Sequence, residues 1–123
     1  MKNFVWVLLV SLIIFNACDK DDDIKIVDPT LPNISNINAS SFSRGETMII
    51  TGKNLKKNGF ATNINFMPVN SGVTLVRSGV ANQEGTELTY TVSDNFEIGN
   101  YNIVVEVDFK FSEKYKESIE IKL

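Results

Sequence analysis

A chain of 123 residues with a formal charge of −3 has room for one small domain rather than two, and it gathers no basic cluster for nucleic acid to grip. It contains no histidine and a single cysteine, Cys18, so it lacks the commonest general base and metal ligand and has no internal disulfide. No metal and no other cofactor is expected, and catalysis is not.

Met1-Lys2-Asn3 precedes an almost wholly apolar run from Phe4 to Phe15, followed by Asn16-Ala17-Cys18. One positive residue, about a dozen apolar ones and a small residue before the cut describe a secretory leader, too short for a comfortable membrane span. Phe15-Asn16-Ala17-Cys18 resembles the lipobox of bacterial lipoproteins, with Phe15 standing where Leu is usual. That resemblance implies cleavage between Ala17 and Cys18 and acylation of Cys18. Residues 1–17 are therefore read as signal peptide. Several acyl chains hold far more firmly than the marginal grip of one. Loss of Lys2 leaves 11 basic against 15 acidic side chains. Attachment to the membrane then has to come from covalent lipid at Cys18 rather than from attraction to anionic headgroups.

Asp19-Lys20-Asp21-Asp22-Asp23 follows at once. A run of like charge repels itself, extends and stays solvated, so it serves as a tether whatever else it does. It lacks the spaced ligands and turn glycine of a calcium loop. It also resembles the acidic export signal that follows the lipidated cysteine in Bacteroidota surface lipoproteins, which implies an outer-membrane, surface-exposed address. An aspartate directly after the cysteine implies inner-membrane retention in enterobacterial lipoproteins; the length of the run favours the surface. Pro29 and Pro32 keep the end of the tether, residues 18–31, extended.

From residue 32 to 123 no stretch keeps a helical period. Short runs instead place an apolar residue at every second position, between Gly, Asn, Ser or Pro. Ile34 and Ile37 open the series. Glu46–Gly52 follows with Met48 and Ile50 on one face, then Ile64 and Phe66 before Pro68. Val73–Arg77 is a shorter run, read as an edge. Leu88, Tyr90 and Val92 alternate next, then Tyr101, Ile103, Val105 and Val107, and last Ile119, Ile121 and Leu123. Turns are expected at Asn58-Gly59, Ser71-Gly72, Glu84-Gly85 and Gly99-Asn100. One apolar face per strand describes antiparallel sheets half in water, and two of them face to face give an all-β sandwich of about seven strands. Gly45 is expected in a turn conformation that a Cβ would penalise, and Gly52 at a bend or bulge that ends its strand.

Pro32-x-Ile34-x-x-Ile37 and Ser43-Arg44-Gly45-x-x-Met48-x-Ile50-Thr51-Gly52-x-x-Leu55 resemble the opening of an IPT/TIG domain, an immunoglobulin-like (E-set) β-sandwich. Gly99-x-Tyr101-x-Ile103-x-Val105 is similar to the family's penultimate strand. The resemblance implies a corner tyrosine at Tyr101, whose hydroxyl would bond a nearby backbone carbonyl. It implies nothing specific about a ligand.

Chemistry is sparse. The carboxylate pairs Glu84/Glu87 and Asp94/Glu97 read as surface acids. Aromatic side chains are the remaining lead, because sugar rings stack on exposed aromatic faces. Phe60, Phe96, Phe109, Phe111 and Tyr115 are the hardest to hide in a core. Phe109 and Phe111 continue the inward phase of their strand toward a hairpin at Ser112-Glu113-Lys114. With Tyr115 they either cap the core or, if exposed, form a candidate ligand platform. Trp6 leaves with the leader, which counts against a strong sugar site. The expected role is a non-catalytic envelope lipoprotein, a glycan-binding or accessory module of an outer-membrane complex. The alternative is an interaction module that docks a protein partner, such as another lipoprotein or a transporter.

Overall fold

The computed structural model describes residues 28–123, so the leader with Ala17, the acylation candidate Cys18 and the run Asp19, Lys20, Asp21, Asp22, Asp23 lie outside the described residues. The described chain is all-β. Nine strands follow one another: β1 (Asn33–Ile37), β2 (Ser41–Ser43), β3 (Thr47–Lys53), β4 (Thr62–Pro68), β5 (Leu75–Ala81), β6 (Glu87–Thr91), β7 (Gly99–Val107), β8 (Lys110–Phe111) and β9 (Ile119–Lys122). Pairing runs along one path, β1-β3-β6-β5-β4-β7-β9-β2, with β8 added on β7. Every pair is antiparallel except β2 with β9.

The sheet curls because β5 changes partner along its length. Leu75 to Gly79 pair with β4, whereas Val80 and Ala81 pair with β6. The hollow of the curl holds one core. Met48, Ile50 and Leu88 enter it from one half, Ile64, Phe66, Ile103, Val105 and Ile121 from the other. These are the alternating apolar positions of β3, β6, β4, β7 and β9, so the period-two pattern has become burial. Four rings interlock at the centre. Phe66 lies 4.9 Å from Phe96, 5.6 Å from Tyr90 and 6.0 Å from Tyr101 by centroid, the Phe96 and Tyr101 contacts edge-on.

Several local expectations need correction. β5 begins at Leu75, not Val73, and is an interior strand rather than an edge. Its inward positions are Leu75, Arg77, Gly79 and Ala81, a series too polar and too small to show the alternation. Gly99 and Asn100 open β7 instead of forming a turn. The hairpin after β7 turns at Asp108-Phe109, not at Ser112-Glu113-Lys114, since Val107 pairs with Lys110 and Glu106 with Phe111. Phe111 therefore sits opposite outward-facing Glu106 and leaves the inward phase. Gly45 does adopt a left-handed φ of +89°. Gly52 does lie at a bulge, opposite Ile34 where β1 shifts register, although β3 runs one residue past it to Lys53.

The strand directions define two ends. One gathers the start of β1, the end of β3, the start of β4 and the β7–β8 hairpin. The opposite end gathers the β4–β5 and β6–β7 loops and Leu123.

Candidate functional site

At the end away from β1's start, four aliphatic side chains stand out of the fold. Val69 and Val73 come from the β4–β5 loop, Ile98 from the β6–β7 loop, and Leu123 follows β9. Val73 is 82% exposed, and Val69 and Ile98 about half. Val69, Val73 and Ile98 line a shallow concavity of about 410 Å³, and Ile98 and Leu123 share the adjoining one. Exposed aliphatic side chains meeting from separate loops form a patch, and patches on small proteins mark contact sites more often than scattered residues do.

The loop that carries Ile98 is fixed from beneath. Arg44 donates from Nε and Nη2 to Phe96 O at 2.9 and 2.7 Å, and the Tyr101 hydroxyl donates to Glu97 O at 2.6 Å. Phe96 itself is fully buried in the aromatic cluster, against the expectation that it would be hard to hide. The Ile98 part of the rim is thus held in place before any contact, which spares the entropy of ordering it. Tyr101→Phe should remove one partly buried hydrogen bond and lower stability by about 1 kcal/mol in urea melts near neutral pH. Burial, and after it the charge of Glu97, pushes the Tyr101 phenol above its ordinary value. A neutral acid favoured by the fold stabilises it fully below the unfolded pKa, and that contribution is lost as pH rises through the folded one. The advantage of wild type over Tyr101→Phe should therefore shrink as the pH climbs past about 10.

The opposite end carries residues 28–31, the first described residues of the chain. Asp28 Oδ1 accepts from the Thr30 amide and hydroxyl at 2.8 and 2.6 Å, and Asn54 Nδ2 donates to Pro29 O and Leu31 O at 2.7 and 3.0 Å. Lys110 Nζ reaches Thr30 Oγ1 at 2.6 Å and Asp28 Oδ2 at 3.7 Å. Residues 28–31, read from sequence as an extended tether, instead turn at Pro29-Thr30, with the Leu31 amide donating to Asp28 O at 3.3 Å, and are latched to the body beside the β7–β8 hairpin. The Thr30 hydrogen bonds, with Lys110 behind them, hold the Asp28 carboxyl below its ordinary range. The latch keeps that contribution at neutral pH and loses it only as the pH falls through the lowered value.

The three sequence-predicted ligand residues do not form one platform. Phe109 is 84% exposed at the hairpin tip and Phe111 is 51% exposed on the outer face of β8. Tyr115 is only 6% exposed: its amide donates to Ile103 O at 2.9 Å, and its hydroxyl accepts from the Ile37 amide at 3.3 Å. It ties the segment after β8 to β1 in the other half of the sheet. Sequence reasoning missed the rim altogether. Its one signal was an unpaired aliphatic residue in each of two polar loops, Val73 and Ile98. Glu84, Glu87, Asp94 and Glu97 are exposed around loops at the two ends, and among the described residues no three His, Cys, Asp or Glu side chains gather as metal ligands would.

No family model matches this chain, and no curated protein does. Among solved structures it is similar to an uncharacterized protein from Bacillus anthracis str. Ames, determined by crystallography at 1.4 Å, with 17% identity and a TM-score of 0.44 over 74% of this chain and 84% of that one.

Proposed function

We propose that this chain is a non-catalytic lipoprotein of the bacterial outer membrane, anchored by acyl chains on Cys18 and displayed at the cell surface. Its body is an immunoglobulin-like β-sandwich of the IPT/TIG type that serves as an accessory module and docks a protein partner through the aliphatic rim. Topology supports the sandwich reading. β1-β3-β6-β5 follows the order of one immunoglobulin sheet and β4-β7-β9 that of the other, with the second part of β5 in the place of the fourth strand. The Tyr101 hydroxyl, bonded to a carbonyl four residues upstream at the start of β7, supports the corner-tyrosine assignment.

The observation that carries the functional reading is the opposition of the two ends. The tether joins at one, and the rim of Val69, Val73, Ile98 and Leu123 stands at the other, where an anchored protein meets its surroundings. An aliphatic rim suits a protein surface; a sugar ring would ask for an aromatic one. Ile98→Asp with Val73→Asp should leave the melt within about 0.5 kcal/mol of wild type, as for other exposed substitutions, yet abolish a partner that co-purifies from detergent-extracted membranes. Retention of that partner by the double variant would remove the rim from the account. The anchor is tested separately: mass spectrometry should find an acylated N-terminal Cys18, and protease applied to intact cells should digest the body. The exposure of Phe109 and Phe111 favours a second reading, glycan capture, which requires saturable polysaccharide binding lost in Phe111→Ala.

A further inference from the structure

We propose that the β7–β8 hairpin tip is a foot that seats on the lipid bilayer, with Phe109 entering the boundary between headgroups and acyl chains beside the tether's point of attachment. The inference rests on the anchoring of Cys18 proposed above and goes beyond it, since an anchor alone leaves the body free to stand in any orientation.

Phe109 is a poor residue for its position. Asp108 and Phe109 are the two central residues of a two-residue hairpin, with φ of +52° and +60°. A turn with two left-handed residues favours Asn or Asp followed by Gly. Asp108 meets that preference and Phe109 violates it, because a Cβ and a bulky ring are penalised in the left-handed region. The ring recovers nothing by burial, being 84% exposed. Backbone strain together with an unburied aromatic ring marks a residue kept for contact outside the fold.

The neighbours suit a bilayer interface. Phe60, on the loop between β3 and β4, is also exposed, and Lys57 Nζ lies 5.1 Å from its ring centroid while pairing with the Asp108 carboxylate. Lys56, Lys57 and Lys110 line the groove at this end, where aliphatic stems can lie along apolar surface with their ammonium groups in water. Lys57 and Lys110 are each paired with an aspartate, and Lys56 has no salt bridge among the described residues. The aromatic ring, rather than a concentration of free charge, is what this end offers to lipid.

Chain length brings the two together. Asp28 latches to Lys110 at the base of the hairpin, and nine residues separate it from Cys18. Their greatest span is roughly 35 Å. A weak aromatic contact so close to an acyl anchor acts at a high effective concentration and holds where the free domain would not. Seating this end on lipid turns the aliphatic rim outward.

The test uses the absence of tryptophan. Trp6 is the chain's one tryptophan and leaves with the leader, so Phe109→Trp gives the processed protein a single reporter. The full chain, matured in a lipoprotein-processing host, is reconstituted into phosphatidylcholine vesicles with brominated acyl chains. Phe109→Trp should emit to the blue and be quenched several-fold more than Val73→Trp at the opposite rim. Equal quenching of the two, in protein that mass spectrometry shows to be acylated, overturns the foot and leaves the anchor standing. Unacylated protein, or tryptophan emission from the wild-type chain, overturns both. Phe109→Gly, freed of the strained aromatic, should melt above wild type in detergent; a lower melting temperature would show that the ring serves the fold and would also overturn the foot. So would a polysaccharide bound by the acylated protein and lost in Phe109→Gly, which would assign the tip to a sugar.

Discussion

Ile103→Asp should abolish the cooperative melt of the body at neutral pH. Ile103 is fully buried in the middle of β7, the strand that holds β4 on one side and β9 on the other. Truncating such a side chain costs about 2–5 kcal/mol in lost transfer energy and cavity. An unpaired carboxylate in the same space adds several more, and the group escapes only by taking up a proton. A domain of this size has a total stability near the lower end of about 5–15 kcal/mol, so the two penalties together exhaust it. Met48→Asp and Ile50→Asp, each in the facing half of the curl, should do the same. The proton supplies an internal check. An aspartate with a raised folded pKa stabilises the fold relative to its charged form below the unfolded value and loses that as pH rises, so any residual folding of Ile103→Asp should appear in acid first. Circular dichroism and urea melts at neutral pH decide the matter: a sigmoidal transition retained by all three variants would mean that these residues are not the core.

Strands were legible where one face alone is buried. In β3, β7 and β9 the inward residues are Met48 and Ile50, Tyr101 to Val107, and Ile119 and Ile121, each separated by polar or half-exposed neighbours. Burial imposes the period, so the period reports the burial. β5 escaped because it serves both halves of the curl. Where it crosses between them it carries Arg77, which lies 5.5 Å over the Phe96 ring, and Gly79, which leaves space for Leu88. β2 contributes Phe42 alone between two serines, too short a stretch for any alternation.

The candidate site was less legible, and for reasons that lie in tertiary contacts. The inward phase of β7 runs unbroken on paper through Phe109 and Phe111, and Asp108-Phe109 carries no glycine to announce a turn. The hairpin becomes visible only through the pairing of Val107 with Lys110. Tyr115 lies between Lys114 and Lys116, so the sequence leaves it open between core cap and exposed ring, and the structure makes it core. Its burial depends on the Ile37 amide, 78 positions away in sequence, which no local pattern reports. The aliphatic rim is assembled from three separate segments, each unremarkable alone. Tyr101 was the exception, because the resemblance of Gly99-x-Tyr101-x-Ile103-x-Val105 to a known strand implied a bond to a nearby carbonyl, and its hydroxyl does donate to Glu97 O four residues upstream.

Gly52→Ala should be the most damaging single-methyl change in the body, lowering stability by on the order of 3 kcal/mol. A Cβ built there falls 1.8 Å from Asn33 O and 3.3 Å from Ile34 Cα, both backbone atoms of β1. No rotamer relieves a collision with backbone, so β1 itself has to retreat. Gly52 faces Ile34 beside the bulge that leaves Ser35 unpaired, and its own amide donates to Thr86 O at 2.9 Å, so β3 is held from the other side and does not yield. Retreat breaks the pairing from Asn33 to Ile37 at about 0.5–1.5 kcal/mol per hydrogen bond, and it uncovers Ile37 and the Tyr115 hydroxyl that Ile37 satisfies. At about 4–8 °C per kcal/mol for a domain of this size, the melting temperature should fall by roughly 15 °C. Gly45→Ala supplies the contrast. Its Cβ meets nothing within 4 Å, so only the left-handed φ is penalised, at about 1–2 kcal/mol. Hydrogen exchange separates the mechanisms further: in Gly52→Ala the amides of β1 should lose protection before those of β7, whereas Gly45→Ala should lower protection uniformly. If Gly52→Ala melts within a few degrees of wild type with β1 still protected, the close approach of β1 to β3 is not what requires glycine at this position.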